Sequence, residues 1–499
     1  MSEVPWLWVE NGVAAELTSL ASVELKTFSA ALAETTLRRL ALMVIPGDGG
    51  VLRLLGLVAD EGRGLVGLLS TEVAERYPSL TPSCPDLHLF ERELWESWGL
   101  MPEGHPWLKA VRYPQRRHSG AAQVMPVAGT LAPWQVQGEG VHEVAVGPVH
   151  AGVIEPGHFR FQCHGEEVFH LEIALGYQHR GVERWMLEAS RPRQMHFMET
   201  VAGDTSIGHA TAHALVMEGL GGHEISPRAS VLRGLALELE RMANHTGDLG
   251  ALAADVGFLP TSSFCGRLRG DLLNATAMLC GNRFGRGMVN VGGVGWDLDA
   301  AALAELQRHL RGVWRDIEGA VHLLLDTPSV LARFEGCGVL SQAQALQLGC
   351  VGPTARASGL RRDVRKHFPA GVWRDCYHSP AFQVRGDVLA RAQVRWQELE
   401  KSWYYCQRWL EELPEGERVV AAAPGSRPRA LCVGLVEGWR GEIVHVGVSN
   451  AAGGWAAYKV IDPSFRNWSA LAMVMRGTEI SDFPLCNKSF NLSYCGFDL

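Results

Sequence analysis

The chain has 499 residues, room for two to four domains at roughly 150 residues each. Lys+Arg 46 against Asp+Glu 54 leaves a net charge of -8, and 47% of residues are hydrophobic while 20% are charged. These values exclude a disordered chain and argue against a general nucleic-acid binder, which needs a basic excess to release phosphate counterions. No apolar stretch reaches the roughly 18 to 20 residues that span a bilayer, and the start MSEVPWLWVENG lacks the basic, then apolar, pattern of a signal peptide. The expectation is a soluble cytoplasmic chain whose eleven cysteines are reduced thiols. No two of them are spaced as C-x-x-C, so the chain offers no such chelate for zinc, nickel or an iron–sulfur cluster.

In chain order, the apolar runs LRRLALMVIP (37–46), VLRLLGLVAD (51–60) and LVGLLS (65–70), broken by Gly and Asp, predict neighbouring antiparallel strands. LHLFERELWESWG (87–99) has the three-and-four spacing of an amphipathic helix ended by glycine. Residues 113–140 show no period and read as a linker. Residues 141–177 alternate as strands, with a tight turn at His164 and Gly165. Helical runs then dominate, including 198–220, 228–255, 264–281, 299–325 and 389–413, and suit a bundle. The tail returns to strands in RALCVGLVEGW, GEIVHVGVSN and WAAYKVID. The predicted class is α+β: a small N-terminal α+β domain (1–120), a linker (121–140) and a large mainly helical domain with peripheral β-strands (141–499).

Three clusters could carry chemistry. GPVHAGVIEPGHF places His150, Glu155 and His158 in one Pro- and Gly-rich loop, suited to proton transfer or to a solvated turn. QHRGVER supplies His179, Arg180, Glu183 and Arg184 directly after a strand, where a titrating imidazole could tune a redox centre or join a surface ion-pair cluster. LELERMANHTGD puts Glu238, Arg241, His245 and Asp248 on one helix face, as a solvated stripe or a buried polar network. The glycine-bearing stretches GNRFGRGMVNVGGVG and VGPTARASG match no phosphate loop and read as packing turns, and no G-x-S-x-G elbow is present.

FERELWESWGLMPEGHP resembles the signature of the 30-kDa-type subunit of respiratory complex I. GPVHAGVIEPGHF, QHRGVER, GDTSIGHATAHA, LELERMANHTGDLGALAADVGF, NRFGRGMVNVGGV, VGPTARASG, WRGE and DPSFRNW resemble the 49-kDa-type subunit and the large subunit of energy-converting NiFe hydrogenases. The order is that of the fused subunit in formate-hydrogenlyase-type and hydrogenase-4-like complexes. In catalytic members of that family a C-G-x-C and a C-terminal C-x-x-C supply four thiolates to nickel and iron. Here those places hold Ala202, Gly203, Asp204 and Thr205, then Ser493 and Gly496, with Cys495 one position off. Methyl, hydrogen and hydroxyl groups do not serve a soft thiolate site, so the resemblance implies the scaffold without a metal of its own.

The quinone-binding His and Tyr of the 49-kDa-type subunit fall at Ile154 to Pro156 and near Gly203. The polar candidates closest to them are His150, His158, Asp204 and His209. The resemblance thus implies an electron-transfer subunit of a membrane-attached, proton-translocating oxidoreductase that is inactive by itself. Its partners would be a small iron–sulfur subunit, whose 4Fe-4S cluster lies beside His179 and Arg180, and antiporter-like membrane subunits, with quinone as a candidate occupant of the emptied cavity. The place would be the cytoplasmic side of the inner membrane. A purely structural coupling role is the alternative reading, and a true NiFe hydrogenase a remote one.

Overall fold

A computed structural model describes residues 4–117, 132–152, 154–420 and 425–499; part of the expected linker, residues 121–131, lies outside them. The first sheet has the order β1-β5-β4-β3, all antiparallel, from β1 (Leu7–Glu10), β3 (Arg38–Pro46), β4 (Leu52–Asp60) and β5 (Leu65–Val73). Its strands are continuous apolar runs because both faces are covered. Helix α1 (Leu25–Glu34) lies so close on one face that a Cβ at Gly56 would sit 3.0 Å from Phe28. The predicted amphipathic helix is α2 (His88–Trp98), closed by Gly99 in the left-handed conformation at φ 74°. Short strands β6 (Arg76–Pro78) and β7 (Met101–Glu103) pair in parallel around it.

The acids of α2 are buried, because each serves a loop. Glu91 accepts from the backbone N–H groups of Leu80 and Thr81, and Glu96 from those of Val111 and Arg112. Glu93 pairs with Arg112 at 2.7 Å and with Lys459 at 2.5 Å.

Strands β8 (Val141–Val146), β9 (His158–His164) and β10 (Glu167–Ala174) form an antiparallel sheet, with Gly165 at φ 56° making the predicted turn. Helices α3 (Val182–Glu188) and α4 (Arg191–Met198) follow. The helical run expected over 198–220 is broken: residues 199–205 form a turn, and α5 (Ser206–Gly221) starts after it. Glycine and aspartate at 203 and 204, poor helix formers, account for the break.

The bundle is built on α6 (Pro227–Asp255), capped by Ser226, which accepts from Ala229 N–H at 3.0 Å. Around it pack α7 (Leu259–Cys280), α8 (Ala300–Leu325) and α13 (Val388–Glu411). The β11 (Val289–Asn290) and β12 (Gly293–Val294) hairpin and the short helices α9 (Pro328–Phe334), α10 (Gln342–Gln347), α11 (Gly352–Ala357) and α12 (Val364–His367) fill the turns. The last sheet has the order β15-β14-β13-β2, from β13 (Ala430–Gly438), β14 (Gly441–Ser449) and β15 (Trp455–Ile461). Its edge strand β2 (Ala14–Glu16) comes from the N-terminal region and pairs Ala430 with Glu16. Helices α14 (Pro463–Val474), α15 (Phe483–Phe490) and α16 (Tyr494–Asp498) complete the chain.

Of the two readings of the polar face of α6, the buried network holds. Arg241 donates to Glu238 at 3.1 Å, and His245 bonds Glu398 at 2.7 Å. Arg395 donates to Asp248 at 2.7 Å, and Arg356 to Glu437 at 2.7 Å. No helix among the described residues is long and apolar enough to cross a membrane.

Candidate functional site

The loop 202–205 ahead of α5 and the segment 491–496, which leads into the first turn of α16, meet. Arg180 ties them on one side, donating to the carbonyls of Val201 at 2.9 Å and Cys495 at 3.1 Å. Arg440 ties them on the other: its forked donors reach both Asp204 oxygens at 2.6 and 2.9 Å, and its Nε–H reaches the Asn491 carbonyl at 2.6 Å. Neighbouring Trp439 donates Nε1–H to the Asp204 carbonyl at 3.0 Å and to the Thr205 hydroxyl at 3.1 Å. Asp204 remains one-third exposed at the lip of this junction. Burial pushes its carboxyl up, but the Arg440 guanidinium prevails and holds it below the usual range.

The four positions under the junction are closed to a soft metal. Ala202 and Thr205 are buried, and the Thr205 hydroxyl is committed to Asp204 and Trp439. The Ser493 hydroxyl caps α16, accepting from Gly496 N–H at 2.8 Å. A side chain at Gly496 would lie 2.6 Å from the Asp462 carboxylate. A cysteine there would therefore displace a buried, hydrogen-bonded acid. These donors do not fit a nickel–iron centre. Among the described residues no group of three or more His, Cys, Asp or Glu side chains is placed to hold a metal ion.

Behind Gly496 runs a hydrogen-bonded series. Asp462, which also caps α14 by accepting from Ser464 N–H, bonds His209 Nε2 at 3.0 Å. His209 Nδ1 bonds His445 Nε2 at 3.1 Å, and His445 Nδ1 bonds the Tyr458 hydroxyl at 3.0 Å. The same hydroxyl meets His213 Nδ1 at 2.7 Å. Burial keeps His445 well below its usual pKa and, with the Arg191 charge, brings His213 down to about 3. Alternating donors and acceptors of this kind can pass a proton away from Asp462. Beside it, Glu240 accepts from Ile207 and Gly208 N–H at the start of α5, and burial pushes its carboxyl up to about 8.

The predicted site residues fall into three places. Asp204 and His209 belong to this junction. Glu155 reaches it from the loop ahead of β9, accepting from Gln178 Nε2 at 3.1 Å close to the Cys495 thiol. Gly157 lets that loop approach, since a Cβ there would stand 2.7 Å from the Tyr494 ring. His150 is turned back onto its own loop, bonding the Gly157 carbonyl at 2.8 Å. His158 lines a different cleft, of about 630 Å³, with His88, Arg92, Trp107 and His170.

His179 and Arg180 line a third space of about 430 Å³ with Arg117, Arg184 and Trp185. His179 Nδ1–H donates to the Asp498 carbonyl at 2.6 Å, which makes Nε2 the nitrogen that gains and loses a proton. Burial lowers its pKa, opposed by that bond. In this space Trp185 is 53% exposed, while Tyr177, 49% exposed, lines the His158 cleft and Val149, 83% exposed, lies on the loop between β8 and β9. Glu240, Trp439, Arg440, His445, Tyr458 and Asp462 were not singled out by sequence reasoning. The WRGE and DPSFRNW stretches were the available signal.

The fold and this junction define a class, the 49-kDa-type and hydrogenase-large-subunit scaffold. The family models bear it out: residues 255–430 match "Respiratory-chain NADH dehydrogenase, 49 Kd subunit" and residues 60–120 match "Respiratory-chain NADH dehydrogenase, 30 Kd subunit". A carbon monoxide-induced hydrogenase of Rhodospirillum rubrum is 31% identical over 70% of this chain and 97% of its own. Formate hydrogenlyase subunit 5 of Escherichia coli (strain K12) is 28% identical over 84% of this chain and 76% of its own. The fused C/D-type polypeptide of the NADH-quinone oxidoreductase of Bacteroides thetaiotaomicron is 29% identical over 78% of this chain and 80% of its own. The chain belongs to the fused 30-kDa/49-kDa complex I-like family that includes hydrogenase large subunits.

Proposed function

We propose that this chain is an electron-transfer subunit of a membrane-attached, hydrogenase-4-like or complex I-like oxidoreductase, without a NiFe centre of its own. The division at residues 121–140 into a 30-kDa-like and a 49-kDa-like domain is part of this reading. The observation that carries it is the state of positions 202, 205, 493 and 496, buried and committed to Trp439, Asp462 and the α16 cap. In this reading the face at His179, where Trp185 stands half-exposed, is covered by a small iron–sulfur subunit. Its 4Fe-4S cluster lies beside His179 and Arg180. Antiporter-like membrane subunits hold the assembly to the cytoplasmic side of the inner membrane. A quinone is the candidate occupant beside Asp204 and Glu155, with His209 buried behind them, and no step is assigned to it.

A structural coupling role is the second reading, favoured by the closure of the junction: its hydroxyls and acids already have partners. Two measurements on the purified complex decide. Elemental analysis after chelator washing should find no stoichiometric nickel; about one nickel per chain overturns the proposal. A redox titration at several pH values should show the cluster potential falling as pH rises through the His179 pKa, because imidazolium stabilises the reduced cluster. His179→Met should flatten that slope while the protein stays folded. Identical slopes with unchanged turnover would favour the coupling role.

A further inference from the structure

Cys337 and Cys486 stand 149 positions apart in the chain, yet their sulfurs are 3.7 Å from each other. Cys337 occupies the turn after α9 and is half-buried between exposed Gly336 and Val339. Cys486, on α15, is fully buried. The turn rests on the buried sulfur: Gly338 has φ 58°, and a Cβ there would lie 2.6 Å from Cys486 Sγ. Arg391 of α13 clasps both sides. It donates to the Gly338 carbonyl at 3.0 Å, to the Ser489 hydroxyl on α15 at 2.8 Å and to the Gly386 carbonyl at 2.7 Å. The bond from Cys486, helped by the Arg391 charge, holds the Cys337 thiol low, while that same bond, burial and the Asp482 carboxylate push the Cys486 thiol up, so Cys337 is the sulfur that attacks first.

We propose that Cys337 and Cys486 form a redox modification site that closes to a disulfide by exchange with a low-molecular-weight disulfide. The Cys337 thiolate attacks one sulfur of the small disulfide, making a mixed disulfide and releasing one thiolate. The Cys486 thiol then gives up its proton and attacks the Cys337 sulfur, forming the protein S–S bond and releasing the second small thiolate, which takes up a proton. The two cysteines lose two electrons and two protons; the small disulfide gains them as two thiols. The sulfurs must approach from 3.7 Å to about 2.05 Å, and the glycines on either side of Cys337 let the turn, not the buried helix, make that movement.

The bond would reach the candidate site. Helix α15 is capped by Asn491, whose carbonyl takes the Arg440 bond, and Ser493, the cap of α16, follows two residues on. A disulfide would pin α15 to the turn after α9 and hold that segment in place.

The test is peptide mapping of the purified full-length protein, reduced, equilibrated in glutathione buffers of rising disulfide content and quenched with iodoacetamide. The expected product joins the Cys337 and Cys486 peptides, two hydrogens lighter than their sum, while the remaining cysteines are still alkylated. Dithiothreitol should restore both thiols, and in Cys337→Ser no glutathione should appear on Cys486. Hydrogen exchange across 483–496 should slow on oxidation. A lasting glutathione adduct on Cys337 with Cys486 still alkylated overturns the proposal. So do two free thiols at the most oxidising ratio, or unchanged exchange in the joined form.

Discussion

Arg440 spends one side chain on two loops that lie far apart in sequence, and the groups around it set the electrostatics of the junction. Asp204, held charged by Arg440, faces Glu240, whose carboxyl is pushed up to about 8 by burial. In an unfolded chain Glu240 would titrate near 4.5. The folded state therefore binds this proton more tightly, and the stability it contributes is complete below about pH 4.5. That stability is lost as pH rises through 8, at up to about 1.4 kcal/mol per pH unit. Urea unfolding at pH 5, 6.5 and 8 should show this decline. Glu240→Gln, neutral throughout, should flatten it, and equal slopes in the two proteins would mean that Glu240 is ionised in the fold.

Among the elements, those with a plain apolar period were legible. The strands of the first sheet, the 158–174 hairpin, α2, and the long helices α6, α8 and α13 fall close to where their spacing put them. What escaped is what depends on distant partners. Nothing in LELERMANHTGD says that Glu398, Arg365 and Arg395 converge on it, so its burial could not be read locally. The glutamates of FERELWESWG look like a solvated face, yet they cap loops and reach Lys459. A smaller part of the candidate site was legible, Asp204, His209 and Glu155, because short motifs carried it. Arg440 and Asp462 acquire their roles only when β14 and α14 close on α5.

Asn11 makes the clearest element-scale case. Its side chain donates to the carbonyls of Phe368 at 2.7 Å and Leu435 at 2.9 Å, and accepts from Leu435 N–H at 2.8 Å. Asn11→Ala should leave three buried backbone groups unpaired and cost about 2–4 kcal/mol in denaturant unfolding. A loss under about 0.5 kcal/mol would show that water replaces the amide.

At the scale of the molecule, the N-terminal and C-terminal parts are fastened by buried ion pairs and a side-chain-to-backbone hydrogen bond as well as by strand pairing. Arg38 meets Glu442 at 2.6 Å, Glu93 meets Lys459 at 2.5 Å, and Arg112 donates to the Phe497 carbonyl at 2.6 Å. Removing one member of such a pair strands the other in a dry interior. A fragment of residues 141–499 expressed alone should be poorly soluble and should recover when residues 1–117 are co-expressed. Equal solubility with and without the companion would show that the large domain is self-sufficient.

The pairing of Glu16 with Ala430 also has a consequence for synthesis. At about 5–20 residues per second, a ribosome takes on the order of 20–80 s to travel between those two residues. For that interval β2 has left the tunnel before its sheet exists, with its edge unpaired beside an apolar first sheet. A nascent chain of this topology invites a chaperone to hold that segment, and its final sheet closes only when translation is nearly over.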